Sequence, residues 1–200
     1  MHRQHLLFCG LLVLVSILVV TVYPKSWGPL RLISGAGNIY SADKMLSESK
    51  SPAAPEFSVG TWINSEPLAV KRLRGRVVLI EFWTFGCYNC RNTLPFVKRW
   101  HERYGDKGLV LVGVHSPEFE DEKNIENVRR EVNALGIRYP VITDNNYSTW
   151  NAYHVEAWPT IFVLDKMGRI RWTHVGEGAY DETEQVIQKL LAEDSKQSDN

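Results

Sequence analysis

The seven positions Val77-Val78-Leu79-Ile80-Glu81-Phe82-Trp83 are apolar except for Glu81, and turn-forming residues bound them on both sides. A run of that length without a polar face predicts a strand covered on both sides. Leu109 to Val114 repeats the pattern and predicts a second buried strand. Between them, residues from Cys87 to about Tyr104 read as a helix that stops at Gly105. Pro95 lies inside it, where it removes one helix hydrogen bond and is expected to kink the axis. Strand, helix and strand at this spacing imply a parallel pair joined by a right-handed crossover.

Downstream, Ile125, Val128, Val132 and Leu135 share one face of a helix predicted over Asn124 to Leu135 and ended by Gly136. Val141-Ile142 is a short apolar patch, and Ser148 to Tyr153 a brief helix. Thr160 to Leu164 and Ile170 to Thr173 flank Asp165-Lys166-Met167-Gly168, a hairpin with glycine where a turn needs one. Val186, Ile187, Leu190 and Leu191 stand at helical spacing within Thr183 to Leu191. Upstream, Trp62-Ile63 and Leu68-Ala69-Val70 flank Asn64-Ser65-Glu66-Pro67, which predicts an N-terminal β-hairpin, followed by a helical turn over Lys71 to Arg74 that ends at Gly75. The order β-β-βαβα(α)ββα belongs to the α/β class, a central mixed sheet with helices on both faces.

The apolar pattern takes a third form near the N-terminus. Residues 6–23 are apolar apart from Ser16, Thr21 and a glycine, and as a helix they would span roughly 27 Å, close to the thickness of a bilayer's hydrocarbon core. We read them as a transmembrane signal anchor. A cleavable signal peptide competes with that reading, but its apolar stretch is usually only about 7 to 15 residues and no Ala-x-Ala-like site follows. Arg3 flanks one end and Lys25 and Arg31 the other, so charge alone does not orient the segment. The resulting domain plan is a cytoplasmic N-terminus (1–5), the anchor (6–23), a flexible linker (24–55), a folded domain (56–193) and a disordered tail (194–200).

Composition narrows the function. Lysine plus arginine and aspartate plus glutamate both count 23, and no basic stripe interleaved with aromatics occurs, which argues against nucleic-acid binding. Of three cysteines, Cys9 falls in the apolar segment, leaving Cys87 and Cys90 as the pair in the folded domain. Zinc needs about four ligands; there is no second pair, and His101, His154 and His174 share no ligand spacing, so no metal or other cofactor is expected. The pair sits where a strand gives way to a helix. Unpaired N–H groups in a helix's first turn stabilise a thiolate, so Cys87 is expected to be acidic, and Cys90, one turn on, is placed to close a short disulfide with it.

Phe82-Trp83, Cys87-x-x-Cys90, Pro95 five residues later and Trp158-Pro159-Thr160 together resemble the thioredoxin family over roughly Phe57 to Leu191. His115-Ser116-Pro117-Glu118-Phe119, Tyr139-Pro140-Val141, Trp150-Asn151-Ala152-Tyr153 and Gly176-Glu177-Gly178 narrow the likeness to the membrane-tethered TlpA and ResA branch, and within it to the C-terminal redox domain of DipZ proteins. The resemblance implies a thioredoxin-like fold and a thiol-disulfide oxidoreductase acting on protein disulfides or thiols. It implies Cys87 as attacking thiolate, Cys90 as resolving thiol, and Glu81 as a buried acid relaying the proton of the second cysteine; the competing reading of Glu81 is a core-edge acid paired with an arginine. Pro159 is implied to be cis, so that Trp158 can pair with an extended substrate. Trp158 departs from the small or β-branched residue usual there, and Tyr88-Asn89 from the usual Gly-Pro. The same likeness favours a reductant, on the extracytoplasmic side of a single-pass anchor, supplied by a CcdA-type membrane electron donor.

Two residues carry further readings. Thr84, three positions before Cys87, resembles the T-x-x-C of peroxiredoxins, so the alternative function is a thiol peroxidase with Cys87 peroxidatic and Thr84 positioning the peroxide. His115 ends the second buried strand at the rim expected for Cys87, where it either tunes the thiolate or is structural. The charged run Glu118 to Lys123 reads as a solvated loop.

Overall fold

The central strand of the sheet is the apolar run that dominates the sequence. The computed structural model describes residues 44–193; the expected N-terminus, membrane helix, residues 24–43 of the linker and the tail lie outside the described residues. In chain order the elements are β1 (Trp62–Ile63), β2 (Val77–Trp83), α1 (Tyr88–Tyr104), β3 (Leu109–His115), α2 (Ile125–Ala134), β4 (Val141–Thr143), α3 (Ser148–Ala152), β5 (Thr160–Leu164), β6 (Ile170–Val175) and α4 (Tyr180–Ala192). They form one mixed sheet in the order β1-β4-β3-β2-β5-β6, with β2, β3 and β4 parallel and the remaining pairings antiparallel. All seven β2 side chains are buried, as a strand covered on both faces requires.

The alternation of β2 and β3 divides the core in two. Val77, Leu79 and Trp83 pack with α1, α2 and α4 through Leu94, Val97, Trp100, Val128, Val132 and Ile187. Val78, Ile80 and Phe82 pack on the other face with Trp150 and Tyr153 beside α3. Glu81 follows the register of Leu79 and Trp83 and therefore stands on the face that α1 covers. Its neighbour across β3 is Gly113. A Cβ there would come within 2.8 Å of the Trp83 indole nitrogen and 3.2 Å of Tyr139, so only glycine leaves room for both rings.

Two expectations are corrected. The N-terminal β-hairpin does not form: β1 pairs antiparallel with β4, Trp62 opposite Ile142. Val70–Leu73 is instead a 3-10 turn, because the Glu56 carboxylate accepts the Val70 and Lys71 N–H groups at 2.8 and 2.9 Å and caps that turn. The second correction concerns the linker, whose last part is docked along β6. Leu46 N–H donates to Arg171 O, Pro52 O accepts from Ile170 N–H, and Ala53 bridges to Arg169. The buried Arg171 guanidinium also donates to Leu46 O and pairs with Asp165 and Glu193. Among the described residues no helix is long and apolar enough to cross a membrane.

Candidate functional site

Parallel β2 and β3 end at the same edge of the sheet, and antiparallel β5 begins there, with Phe82 opposite Thr160. Topology alone therefore gathers Cys87, His115 and Pro159 at one rim. Cys87 is the N-cap of α1, and it forms a disulfide with Cys90. Cys87 is half-buried and Cys90 only 2 % exposed, so a partner sulfur has access to the first and not the second. The Cys87 sulfur accepts the Cys90 N–H at 3.2 Å, the hydrogen bond that would stabilise a thiolate at a helix start. The Trp158–Pro159 peptide is cis. Trp158 is half-buried, leans on Trp150 with ring centroids 4.4 Å apart, and donates its indole N–H to Ser116 O at 3.0 Å. Tyr88 and Asn89 are exposed, Tyr88 at 75 %.

Glu81 is buried to 1 %, and burial pushes its carboxyl up to about 8, against which the Tyr139 hydrogen bond acts. The Tyr139 hydroxyl donates to Oε2 at 3.1 Å, while Oε1 meets no hydrogen-bond partner among the described residues. The partner of Glu81 is thus a tyrosine hydroxyl rather than an arginine, and the carboxyl is neutral at pH 7. His115 is fully buried, stacked on Phe85 and edge-on to Trp83. Desolvation lowers its pKa to about 4, opposed by the charge of Glu122, so its ring is neutral.

Thr84 is also fully buried. Its oxygen lies 3.3 Å from His115 Nε2, and its hydroxyl helps to hold the Glu122 carboxyl below the usual range. His115 Nδ1 has no hydrogen-bond partner among the described residues.

Sequence reasoning missed Glu122. The run from Glu118 to Lys123 does not behave as a solvated loop throughout, because Glu122 is 1 % exposed. One oxygen accepts the Gly86 N–H at 2.8 Å; the other accepts those of Glu118 at 2.5 Å and Phe119 at 3.0 Å. Burial pushes this carboxyl up, but the three N–H groups and the Thr84 hydroxyl outweigh burial and hold it below the usual range. A Cβ on Gly86 would fall 2.4 Å from Glu122 Oε1, so this approach requires glycine at position 86. Among the described residues no cluster of three or more His, Cys, Asp or Glu side chains could hold a metal ion.

A family model described as AhpC/TSA matches residues 51–173. Protein DipZ of Mycobacterium tuberculosis is 39 % identical over 167 residues, 78 % of this chain but 24 % of DipZ, so the chain spans about a quarter of that relative. The thiol-disulfide oxidoreductase ResA of Bacillus thuringiensis is 28 % identical over 137 residues, covering 68 % of this chain and 76 % of ResA. Among solved structures, a thiol-disulfide isomerase from Corynebacterium glutamicum superposes with a TM-score of 0.64 at 28 % identity, over 70 % of this chain and 98 % of that one.

Proposed function

We propose, from the premise that this chain belongs to the AhpC/TSA family and is a thiol-disulfide oxidoreductase with a thioredoxin-like fold, that it reduces disulfides of partner proteins through the Cys87–Cys90 couple. The observation that carries the reading is the asymmetry of the pair: a half-exposed cysteine capping a helix, joined to a buried one a turn later. In the reduced protein the Cys87 thiolate attacks one sulfur of a partner disulfide. That S–S bond breaks, the expelled partner thiolate takes a proton from water, and a mixed disulfide forms. Cys90 then loses its proton and attacks the Cys87 sulfur. The second partner sulfur leaves as a thiolate and is protonated, so the partner gains two electrons and two protons while Cys87 and Cys90 become the disulfide.

Glu81 is the proton acceptor we assign to Cys90. It stands on the face covered by α1, and its ionised form, a minority near pH 7 that grows as the pH approaches about 8, is the base that takes the Cys90 proton. Trp158, cis Pro159, Tyr88 and Asn89 form the substrate rim, and His115, buried and neutral, tunes the site from below through Thr84. The apolar residues 6–23 support a membrane anchor that holds the redox domain on the extracytoplasmic side, with a CcdA-type membrane protein returning electrons to Cys87–Cys90.

The second reading, a thiol peroxidase, rests on Thr84 three residues before Cys87. Against it, the Thr84 hydroxyl is fully buried and lies 3.3 Å from His115 Nε2. One pair of assays separates the two. The reduced chain is expected to reduce a model protein disulfide such as insulin, with activity lost in Cys87→Ser. Rapid peroxide consumption that survives Cys90→Ala and disappears in Thr84→Val would instead support the peroxidase.

A further inference from the structure

The peptide bond between Phe85 and Gly86 is gripped from both sides. Its N–H donates to Glu122 Oε1 at 2.8 Å, and its carbonyl oxygen accepts from Arg91 Nε at 2.8 Å. The N–H and C=O of a trans peptide point in opposite directions, so the peptide dipole lies head-to-tail between a carboxylate and a guanidinium. Cys87 follows immediately. We propose that Glu122 and Arg91 form a charged clamp on the Phe85–Gly86 peptide that positions the Cys87 sulfur and sets the acidity of its thiol.

Three features make this a built arrangement. Glu122 is 1 % exposed, reaches the loop from a segment 36 residues further along the chain, and also anchors the N–H groups of Glu118 and Phe119. Gly86 tolerates no Cβ against Glu122 Oε1. Arg91 lies on the first turns of α1, and its backbone N–H donates to Cys87 O at 3.2 Å, so its grip on Phe85 O ties the preceding loop to the helix that carries both cysteines.

The two charges act on the thiolate in opposite senses. A buried anion at Gly86 opposes a second anion at Cys87, whereas the Arg91 cation favours it. The Arg91 effect is the smaller, since its side chain is 49 % exposed and Glu131 on α2 stands 3.7 Å from its Nη2. Glu81, largely protonated on the α1 face, and His115, neutral behind Phe85, bring little net charge to the sulfur near pH 7. Glu122 and Arg91 are positioning residues, since neither exchanges electrons. The proposal rests on Cys87 being the attacking thiol.

The test is the pH dependence of iodoacetamide alkylation of the reduced full-length chain, followed at the Cys87-containing peptide by mass. Glu122→Gln is expected to lower the Cys87 pKa, raising the thiolate fraction at a fixed pH below that pKa by about tenfold. Arg91→Gln is expected to raise the pKa by a smaller factor, and Arg91→Lys, which keeps the charge, to restore it. The equilibrium of the couple against glutathione should move with the same signs, the Glu122 variant becoming the stronger oxidant. Shifts of the same sign in the Glu122 and Arg91 variants, or an unchanged Cys87 pKa with only a lowered Tm, would overturn the clamp. If Glu122→Gln does not fold, the two Arg91 variants alone decide the sign. Because alkylation needs no partner, an unchanged pKa leaves disulfide reduction standing, while lost reduction with shifted pKa values would count against the reductase reading alone.

Discussion

A full-length Cys90→Ala variant is expected to lose multiple-turnover disulfide reduction by about a thousandfold or more and to accumulate as a covalent adduct with its disulfide substrate. Cys87 keeps its place as the helix N-cap with a half-exposed sulfur, so the first attack proceeds. Nothing then expels the partner, because the buried sulfur that would attack the mixed disulfide is gone. Non-reducing electrophoresis reads the adduct directly, and dithiothreitol should release it. The matching Cys87→Ala variant should form none, since Cys90 is 2 % exposed and out of reach of a second protein. Equal adducts from both variants, or turnover within about threefold of wild type in Cys90→Ala, would contradict the assignment of attacking and resolving sulfurs.

The second large effect concerns Glu81 and is visible without any substrate. Burial raises its pKa in the folded protein from 4.5 to about 8. Below pH 4.5 the folded and unfolded chains both carry the protonated acid, so the site imposes no penalty. As pH rises above 4.5 the unfolded chain releases a proton that the folded one retains, and stability falls until pH reaches about 8. At pH 7 the loss is about 3 kcal/mol. Glu81→Gln keeps the shape and an acceptor for the Tyr139 hydroxyl while removing the ionisation. Its oxidised form is therefore expected to match wild type near pH 4 and to exceed it by about 2 to 3 kcal/mol at pH 7 in chemical denaturation. The same variant should lose the alkaline rise in the rate at which Cys90 resolves a mixed disulfide. Parallel stability curves for the two proteins would mean that Glu81 ionises normally and plays no part as a proton store.

Both effects trace to residues that the chain displays openly. Glu81 interrupts an otherwise apolar run, and a single acid in a strand covered on both faces has to be buried; Cys87 and Cys90 sit at the change from strand to helix periodicity. Local patterns of that kind also located α1, β3, α2 and the β5–β6 hairpin around Gly168. What remained hidden depends on contacts between distant parts of the chain. Trp62 finds its partner at Ile142, and three-residue β4 is too short for periodicity to declare it a strand. Tyr139 was visible as part of a motif, but its bond to Glu81 follows only from Gly113 opening space between β3 and the rings above it. Glu122 was concealed by its neighbours. It bonds back to the Phe119 N–H as the last residue of a capping box does, but the capping position holds phenylalanine rather than serine or threonine, so the usual signature is missing.

Thr84 illustrates how burial separates two chemistries that share a spacing. Three residues before a reactive cysteine, a threonine hydroxyl suits a peroxide site; here it is fully buried against His115, beside the carboxylate that holds the Gly86 loop. Burial leaves His115 neutral despite the Glu122 charge, so no imidazolium adds to the helix terminus in favouring the Cys87 thiolate. With Glu122 charged nearby, the thiolate is less stabilised than the helix start alone would make it, and a poorly stabilised thiolate is the mark of a reducing couple.

The reduction potential of the Cys87–Cys90 couple, measured on the full-length chain by equilibration with dithiothreitol buffers, therefore tests the central claim most directly. A protein disulfide reductase built this way should lie near the thioredoxin end of the range, about −270 mV or lower, and a value near −120 mV, where disulfide-forming oxidants lie, would contradict it.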